Sequence, residues 1–95
     1  MNAFDSKVKT ARQLERLFKG VAIHRRIAIL VLVAKNPGMS LEQIADDLRC
    51  NIKTISEHTR RLVHAGLLNK KYKGRTVEHS ISPYGKIFYE FIRTF

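Results

Sequence analysis

The sequence predicts a mainly α-helical fold with one small antiparallel β-hairpin, its elements following the order α-α-α-α-β-β-α. Two observations carry this prediction. Apolar residues recur at helical spacing from residue 7 to residue 65 and again from residue 83, whereas between residues 67 and 82 they alternate with polar residues as in strands. Because 95 residues bury only one modest core, we expect a single domain spanning residues 1–95.

The first two helices differ in how their apolar residues are distributed. Residues 7–21 form an amphipathic pattern, in which Leu14 and Phe18 share an apolar face and lysines and arginines occupy the other. Residues 23–35 are apolar nearly all round, which predicts a central helix that ends before Asn-Pro-Gly at residues 36–38. Its apolar run of eight residues is far too short for a membrane span, so we expect no membrane partner.

A short third helix and a longer fourth helix follow in close succession. Ser40 precedes the third helix and Gln43 stands three residues later, which is the pattern of a capping box. The fourth helix has Asn51 as its predicted N-cap and ends at Gly66. Since only residues 49–51 separate the two helices, they form a helix-turn-helix unit.

The fourth helix has one apolar side and one polar side. At about 100° per residue, the apolar arc contains Ile55, Thr59 and Leu62, flanked by Ile52 and Val63. The opposite side presents small polar groups at the helix start and long cationic groups further along. The residues predicted to face a ligand there are Asn51, Lys53, Thr54, Ser56, Glu57, Arg60 and Arg61.

Residues 67–73 and 76–82 have the pattern of two strands, joined by a turn that contains Gly74 and Arg75. In this register apolar residues lie opposite apolar residues and a lysine lies opposite a glutamate, which favours it over a slip by one residue. The predicted cross-strand pairs are Leu68 with Ile81, Tyr72 with Val77, and Lys71 with Glu78.

Ser82 and Pro83 predict the start of a last helix, which we expect to span about residues 83–94. The apolar residues of the first and last helices exceed what a small core needs, and an exposed apolar patch usually meets a partner. We therefore expect these two helices to form the interface of a symmetric homodimer. The residues predicted to lie in it are Val8, Leu14, Phe18, Ile87, Phe88, Phe91, Ile92 and Phe95.

Positive charge is concentrated in the middle of the chain. The sequence has 18 lysines and arginines against 8 aspartates and glutamates, a net charge of +10. Residues 49–75 hold eight of these cations and one carboxylate, that of Glu57, so less than a third of the chain carries +7. Such a focused positive field attracts a polyanion, for which nucleic acid is the first candidate and an anionic membrane surface the second.

The predicted elements match the geometry of a winged helix domain bound to duplex DNA. The major groove, about 12 Å wide, accepts one α-helix, and a hairpin beside it reaches phosphates or the neighbouring minor groove. We expect Arg60 and Arg61 of the fourth helix to reach guanine edges or phosphates, and the sequence leaves open which does which. The predicted contacts of the hairpin, or wing, to phosphate are Lys70, Lys71, Lys73 and Arg75.

Four segments of the chain resemble the arsenic-repressor-like (ArsR-type) family of winged helix transcription regulators: "LFKGVAIHRRIAILVLV", "MSLEQIADDL", "NIKTISEHTRRLVHAGLL" and "YKGRTVEHSISPYG". The hairpin and the Ser-Pro-x-Gly helix start are also similar to MarR-type regulators. The resemblance implies a homodimer that binds double-stranded DNA and represses transcription, with its recognition helix at residues 51–65. It further implies that the base-facing residues are Lys53, Ser56, Glu57 and Arg60.

The chain departs from the metal-sensing members of that family. Its third helix has no cysteine and its last helix offers only Glu90 as a ligand, so we expect no metal and no cofactor. The single cysteine, Cys50, fits a reducing cytoplasm. Arg49 occupies a turn position where the helix-turn-helix motif prefers glycine, at a cost of about 1 kcal/mol if its backbone is left-handed there.

Other classes of protein have less support in the sequence. No Gly-rich phosphate loop follows a strand, and Ser56 and His58 lie on different sides of one helix, so we expect no enzyme. A winged helix that binds a protein partner or RNA, with nonspecific affinity for polyanions, is the alternative that the sequence leaves open.

Overall fold

The elements follow one another along the chain in the predicted order. The computed structural model of the chain describes residues 9–21 and 23–95. Within these residues the elements are α1 (Ala11–Val21), α2 (His24–Lys35), α3 (Leu41–Asp47), α4 (Ile52–His64), β1 (Leu68–Lys73), β2 (Thr76–Ile81) and α5 (Pro83–Ile92). The two strands pair antiparallel, which confirms the predicted mainly α-helical fold with one hairpin.

Helix α1 begins later than its apolar periodicity predicts. The hydroxyl of Thr10 accepts a hydrogen bond from the Gln13 amide at 3.2 Å, and the Gln13 side-chain oxygen accepts one from the Thr10 amide at 2.8 Å. This reciprocal cap starts the helix at Ala11. The sequence placed Lys9 and Thr10 inside the helix, and that part of the prediction is wrong because both residues precede it. Val8 lies outside the described residues.

Helix α2 occupies the centre of the molecule, as its apolar circumference predicts. Ile29, Leu30 and Val33 are fully inaccessible to solvent. Burying side chains of this size stabilises the folded state by roughly 1.5–3 kcal/mol each. The remaining buried apolar residues come from α3, α4, β1 and α5 and from the loops before α3 and β1: Met39, Ile44, Ala45, Ile55, Leu62, Leu67, Leu68 and Phe88.

Local capping sets the geometry of the helix-turn-helix unit. Ser40 and Gln43 form the predicted capping box at the start of α3, and the Asn51 side chain accepts from the Lys53 amide at 2.7 Å at the start of α4. Arg49, in the turn between them, has a φ of 50°. The backbone there is left-handed, which is the strained conformation that the sequence raised as a possibility.

The hairpin has the predicted register, with Leu68 opposite Ile81, Lys71 opposite Glu78 and Tyr72 opposite Val77. It is also pinned to the segment before α3 by an isolated β-bridge that the sequence analysis missed. The amide of His79 donates to the Met39 carbonyl at 2.9 Å, and the amide of Gly38 donates to the His79 carbonyl at 2.9 Å. A bridge of one residue pair has no periodicity, so no sequence pattern predicts it.

Helices α1 and α5 each approach the end of α4 or the loop that follows it closely. The Ser82 hydroxyl caps α5 by accepting from the Gly85 amide at 3.0 Å and donates to the Gly66 carbonyl at the end of α4. A Cβ at Gly85 would overlap the carbonyl oxygen of Leu67, and a Cβ at Gly20 would lie 2.5 Å from that of Ala65. Glycine is therefore required at both contacts.

Replacing Arg49 by glycine is expected to raise the free energy of unfolding by about 1 kcal/mol, because glycine adopts the left-handed conformation without a Cβ clash. Chemical denaturation followed by circular dichroism measures the change. Arg16→Gly, at an exposed position inside α1, is the control and should lower the free energy of unfolding by about 1 kcal/mol. Destabilisation of both variants would contradict the prediction.

Candidate nucleic-acid interface

Helix α4 divides into a buried and an exposed side. Ile55, Thr59 and Leu62 are buried, as predicted. The predicted ligand-facing residues all lie on the exposed side: Asn51, Lys53, Thr54, Ser56, Glu57, Arg60 and Arg61. The structure corrects the placement of Ile52, which the sequence put beside the buried arc and which is 42% exposed in the first turn of the helix.

Glu57 links the two arginines of α4. One carboxylate oxygen accepts from Nη2 of Arg60 at 2.7 Å and from Nε of Arg61 at 3.0 Å, and the other oxygen accepts from Nε of Arg60 at 3.2 Å. The hydrogen bond from Arg60 is the largest cause that lowers the pKa of Glu57 below its ordinary value. The carboxylate therefore stays charged, and its two-point bond holds the Arg60 guanidinium in one plane on the exposed helix face.

The four cations predicted for the wing are all exposed but lie on two faces of the hairpin. Side chains alternate along a strand, so Lys70 shares the face of buried Leu68, whereas Lys71 and Lys73 point to the other face. Lys73 forms a 3.9 Å ion pair with Glu78.

A cleft separates this hairpin from α3 and α4. It has a volume of about 470 Å³ and brings together residues from three parts of the chain. Arg60 and Ser56 of α4, Lys70 of β1, and Arg75 of the hairpin turn all line it. Lys70 and Arg75 of the hairpin thus lie across the cleft from α4, a grouping that residue spacing alone does not reveal.

Arg26 is a structural residue that the sequence analysis missed. Its side chain is buried, and its Nη1 donates to the carbonyl oxygens of Lys19 at 3.3 Å and Gly20 at 3.4 Å near the end of α1. Its Nε donates to Nδ1 of His58 in α4 at 3.4 Å. A buried guanidinium requires such partners, and here they tie α1, α2 and α4 together. The available signal was an arginine inside a mostly apolar helix.

Burial lowers the pKa of His58, and the positive charge of Arg26 lowers it further. The imidazole is therefore neutral when its Nδ1 accepts from Arg26, which fits the helix-packing role that the sequence suggested for it. The hydrogen bond that joins α2 to α4 at this point therefore forms with the neutral imidazole.

The residues predicted for a dimer interface fall into three groups. Phe18, Ile87, Phe91 and Phe95 are 52%, 63%, 53% and 95% exposed, whereas Leu14 and Ile92 are half-buried. Phe88 is buried and packs edge-on against Phe18, with ring centroids 5.1 Å apart. Its assignment to an exposed interface is corrected by this placement, because its surface is already covered within its own chain.

The described residues contain no group of three His, Cys, Asp or Glu side chains placed to hold one metal ion. Cys50 is half-buried in the turn before α4. None of the helices formed by the described residues has the length and hydropathy needed to cross a bilayer.

The α-α-α-α-β-β-α order, the helix-turn-helix unit and the pinned hairpin define a winged helix-turn-helix domain. A protein-family model described as HVO_A0114 matches residues 23–89, and the chain belongs to this family. A comparison with curated protein sequences found no match.

Solved structures share the fold. HlyU from Vibrio cholerae N16961 is 25% identical with a TM-score of 0.82, over 90% of this chain and 94% of that one. The homodimeric winged helix-turn-helix DNA-binding domain of Mb0332 from Mycobacterium bovis, a possible ArsR-family regulator, is 24% identical with a TM-score of 0.81, over 99% and 87%. The transcriptional regulator SlyA is 24% identical with a TM-score of 0.72, over 88% and 65%.

The depressed pKa of His58 predicts a pH-dependent stability. The folded protein binds this proton less readily than the unfolded chain, whose histidine has the ordinary pKa of 6.5. The stabilisation is therefore complete above pH 6.5 and is lost as the pH falls towards the folded-state pKa.

We expect the free energy of unfolding to fall more steeply between about pH 7.5 and pH 5 in the wild-type protein than in His58→Gln. Urea denaturation across this range measures both slopes. His64→Gln, which removes an exposed histidine from the same helix, is the matched control. Equal slopes for wild-type and His58→Gln would refute the assignment.

Proposed function

We propose that the protein is a sequence-specific, double-stranded DNA-binding regulator of transcription that acts in the cytoplasm as a homodimer. We further propose that it is an ArsR-like repressor without metal-sensing residues. The observation that carries the proposal is the exposed polar side of α4 with the cationic hairpin beside it. Two proteins of the same fold support the proposal by their names: SlyA is named as a transcriptional regulator, and Mb0332 as a possible ArsR-family transcriptional regulator.

The dimensions of α4 suit the major groove. Its 13 residues make a rod about 20 Å long, and the helix diameter of about 10–12 Å fits a groove about 12 Å wide. Lys53 and Ser56 lie near the helix start, where backbone amides and cationic groups favour phosphate and base edges. Exposed Ile52 in the same turn offers an apolar contact for a thymine methyl group.

Base contacts and phosphate contacts are assigned to different residues. Glu57 holds Arg60 in a planar arrangement, which suits the two acceptors on a guanine edge. Lys73, on the opposite face of the hairpin from Lys70 and 3.9 Å from the Glu78 carboxylate, carries a point charge that suits phosphate instead. Arg60 therefore contributes to sequence choice and Lys73 to overall affinity.

We expect Arg60→Ala to weaken binding to the preferred site by about 1–3 kcal/mol and to relax its sequence preference. Lys73→Ala should weaken binding to all duplexes alike and reduce the slope of log affinity against log salt by about 1. Fluorescence anisotropy with specific and random duplexes over a salt series measures both effects. Equal losses on both duplexes for both variants would contradict this division.

Dimerisation is proposed through α1 and α5. Their exposed surface includes Phe18, Ile87 and Phe91, and the ring of Phe91 packs edge-on against Phe95 with centroids 5.1 Å apart. Such a cluster of exposed apolar side chains usually meets a partner. Mb0332, which shares the fold, is named as homodimeric, and two-fold pairing would place two α4 helices over adjacent half-sites.

Phe91→Glu is expected to convert the dimer to a monomer, because the dimer would bury a carboxylate in an apolar seam. Sedimentation velocity measures the change in mass. Tyr72→Glu, which places the same charge at an aromatic position 74% exposed on the hairpin, should leave the mass unchanged. A wild-type protein that sediments as a monomer, or a Phe91→Glu variant that stays dimeric, would refute this interface.

The decisive experiment is selection of bound sequences from a random duplex library at physiological salt. An enriched inverted repeat, with half-sites about one helical turn apart, is the expected result. Binding without any enriched motif, which collapses as salt rises, would instead indicate a protein-binding or RNA-binding module with nonspecific polyanion affinity. Transcription from a promoter that carries the selected repeat would then test repression.

A further inference from the structure

A cationic groove lies between the end of α1 and the last turns of α4, away from the hairpin. The two helices meet where Gly20 lies against Ala65, and the groove beside this contact has a volume of about 280 Å³. The charged or titratable residues that line this α1–α4 groove are Arg16, Lys19, Arg26, Arg60, Arg61 and His64. Among the described residues no carboxylate lines it, so the lining carries charge of one sign.

Neighbouring carboxylates compensate this positive charge only in part. Glu57 bonds both arginines of α4, and the Glu15 carboxylate lies 3.7 Å from the ammonium group of Lys19. Arg16 is exposed and forms no ion pair with any carboxylate in the part of the chain that the structure describes. The groove therefore keeps an excess of positive charge, which attracts an anionic partner.

Arg26 adds a buried charge beneath the groove. It is 8% exposed, and its hydrogen bonds go to two carbonyl oxygens and to the His58 imidazole, which are uncharged partners. No carboxylate within residues 9–21 and 23–95 forms an ion pair with it. Buried charges are usually paired with a charge of opposite sign, because burial without one costs free energy. An anion bound in the groove would supply that charge.

The groove stays uncovered in the proposed dimer. Arg16 is two residues away from both Leu14 and Phe18, which places it about 160° around α1 from the apolar face of the proposed interface. On its other side the groove continues the exposed polar side of α4, since Arg61 and His64 belong to the last turns of that helix. A partner that contacts α4 can therefore reach α1 without displacing the second protomer.

The position of the groove along α4 favours the backbone of a duplex as its occupant. The first residues of a recognition helix reach the base edges, so its last turns lie nearer the phosphates at the rim of the major groove. Among the described residues Arg61 bonds Glu57 through Nε alone, which leaves both of its Nη groups to donate elsewhere. Guanidinium groups bind phosphate oxygens at two points.

We propose that the α1–α4 groove binds the sugar-phosphate backbone of duplex DNA beside the bases that α4 contacts. Helix α1 is then a third DNA-contacting element besides α4 and the hairpin, and Arg16 is its principal phosphate contact. This inference rests on the proposed function, because it assigns a further part of the chain to the same duplex. It also gives α1 two roles, with an apolar face for the second protomer and a cationic face for DNA.

Arg16→Gln is the variant that tests the groove. The side chain is exposed on α1, so its replacement should leave the core and the dimer mass unchanged. Lys35→Gln removes one charge from the exposed end of α2, outside the groove, and is the matched control. Arg16→Lys keeps the charge and separates a loss of charge from a change of side-chain shape.

Fluorescence anisotropy over a salt series measures duplex affinity, with both a random duplex and the sequence enriched by selection. We expect Arg16→Gln to bind both duplexes roughly tenfold more weakly, as for loss of a hydrogen bond to a charged acceptor. The slope of log affinity against log salt should fall by about 1. Lys35→Gln and Arg16→Lys should each change the affinity much less than Arg16→Gln does.

A scan of the DNA backbone locates the contact. Single methylphosphonate groups, each of which removes the charge of one phosphate, are placed in turn along the bound duplex. At one position in each half-site we expect a roughly tenfold loss of affinity for the wild-type protein and for Arg60→Ala, but little loss for Arg16→Gln. A general weakening of the fold would not produce a loss that depends on one phosphate.

The inference and the proposed function fail in different ways. Equal duplex affinities for Arg16→Gln and Lys35→Gln, or a scan in which Arg16→Gln loses as much as wild type at every phosphate, would overturn the inference and leave the proposed function standing. A wild-type protein that binds no duplex at physiological salt would overturn both. If Arg16→Gln bound duplex normally but no longer bound polyglutamate, the groove would belong to an acidic protein partner and the inference would be wrong.

Discussion

The central helix α2 must bury nearly its whole circumference, and the positions of most other elements follow from that requirement. Its residues Ile29, Leu30 and Val33 have no contact with solvent, and truncating such a side chain to alanine costs about 2–5 kcal/mol. Helices α1, α3, α4 and α5 and strand β2 all pack against α2. The surfaces that face solvent therefore take their orientation from the helix at the centre of the core.

Helix α4 combines a packing role with a dense exposed charge. Its buried stripe contributes Ile55 and Leu62 to the core, while Arg60 and Arg61 stand side by side on the exposed face. Adjacent guanidinium groups repel each other, and Glu57 offsets that repulsion by bonding to both. An acidic residue on a cationic face is thus consistent with an anionic ligand, because it orders the cations that would receive it.

Signals that act over short distances were predicted well. The caps at Ser40 and Asn51, the left-handed Arg49 and the hairpin register were all anticipated, because each depends on neighbouring residues or on simple alternation. Contacts between distant residues were not. The Arg26–His58 hydrogen bond joins residues 32 positions apart, and no spacing rule connects them.

By itself the sequence determined the order and ends of most elements, the pairing of the strands and the polar side of α4, because caps, turns and periodicity are local properties. Only the tertiary structure decided that Lys70 and Arg75 share a cleft with Arg60, and that Phe88 belongs to the core. The physical reason is that burial and charge clustering arise where separate elements pack together. The composition gives the net positive charge of the chain, whereas the packing of the elements determines which surface carries that charge.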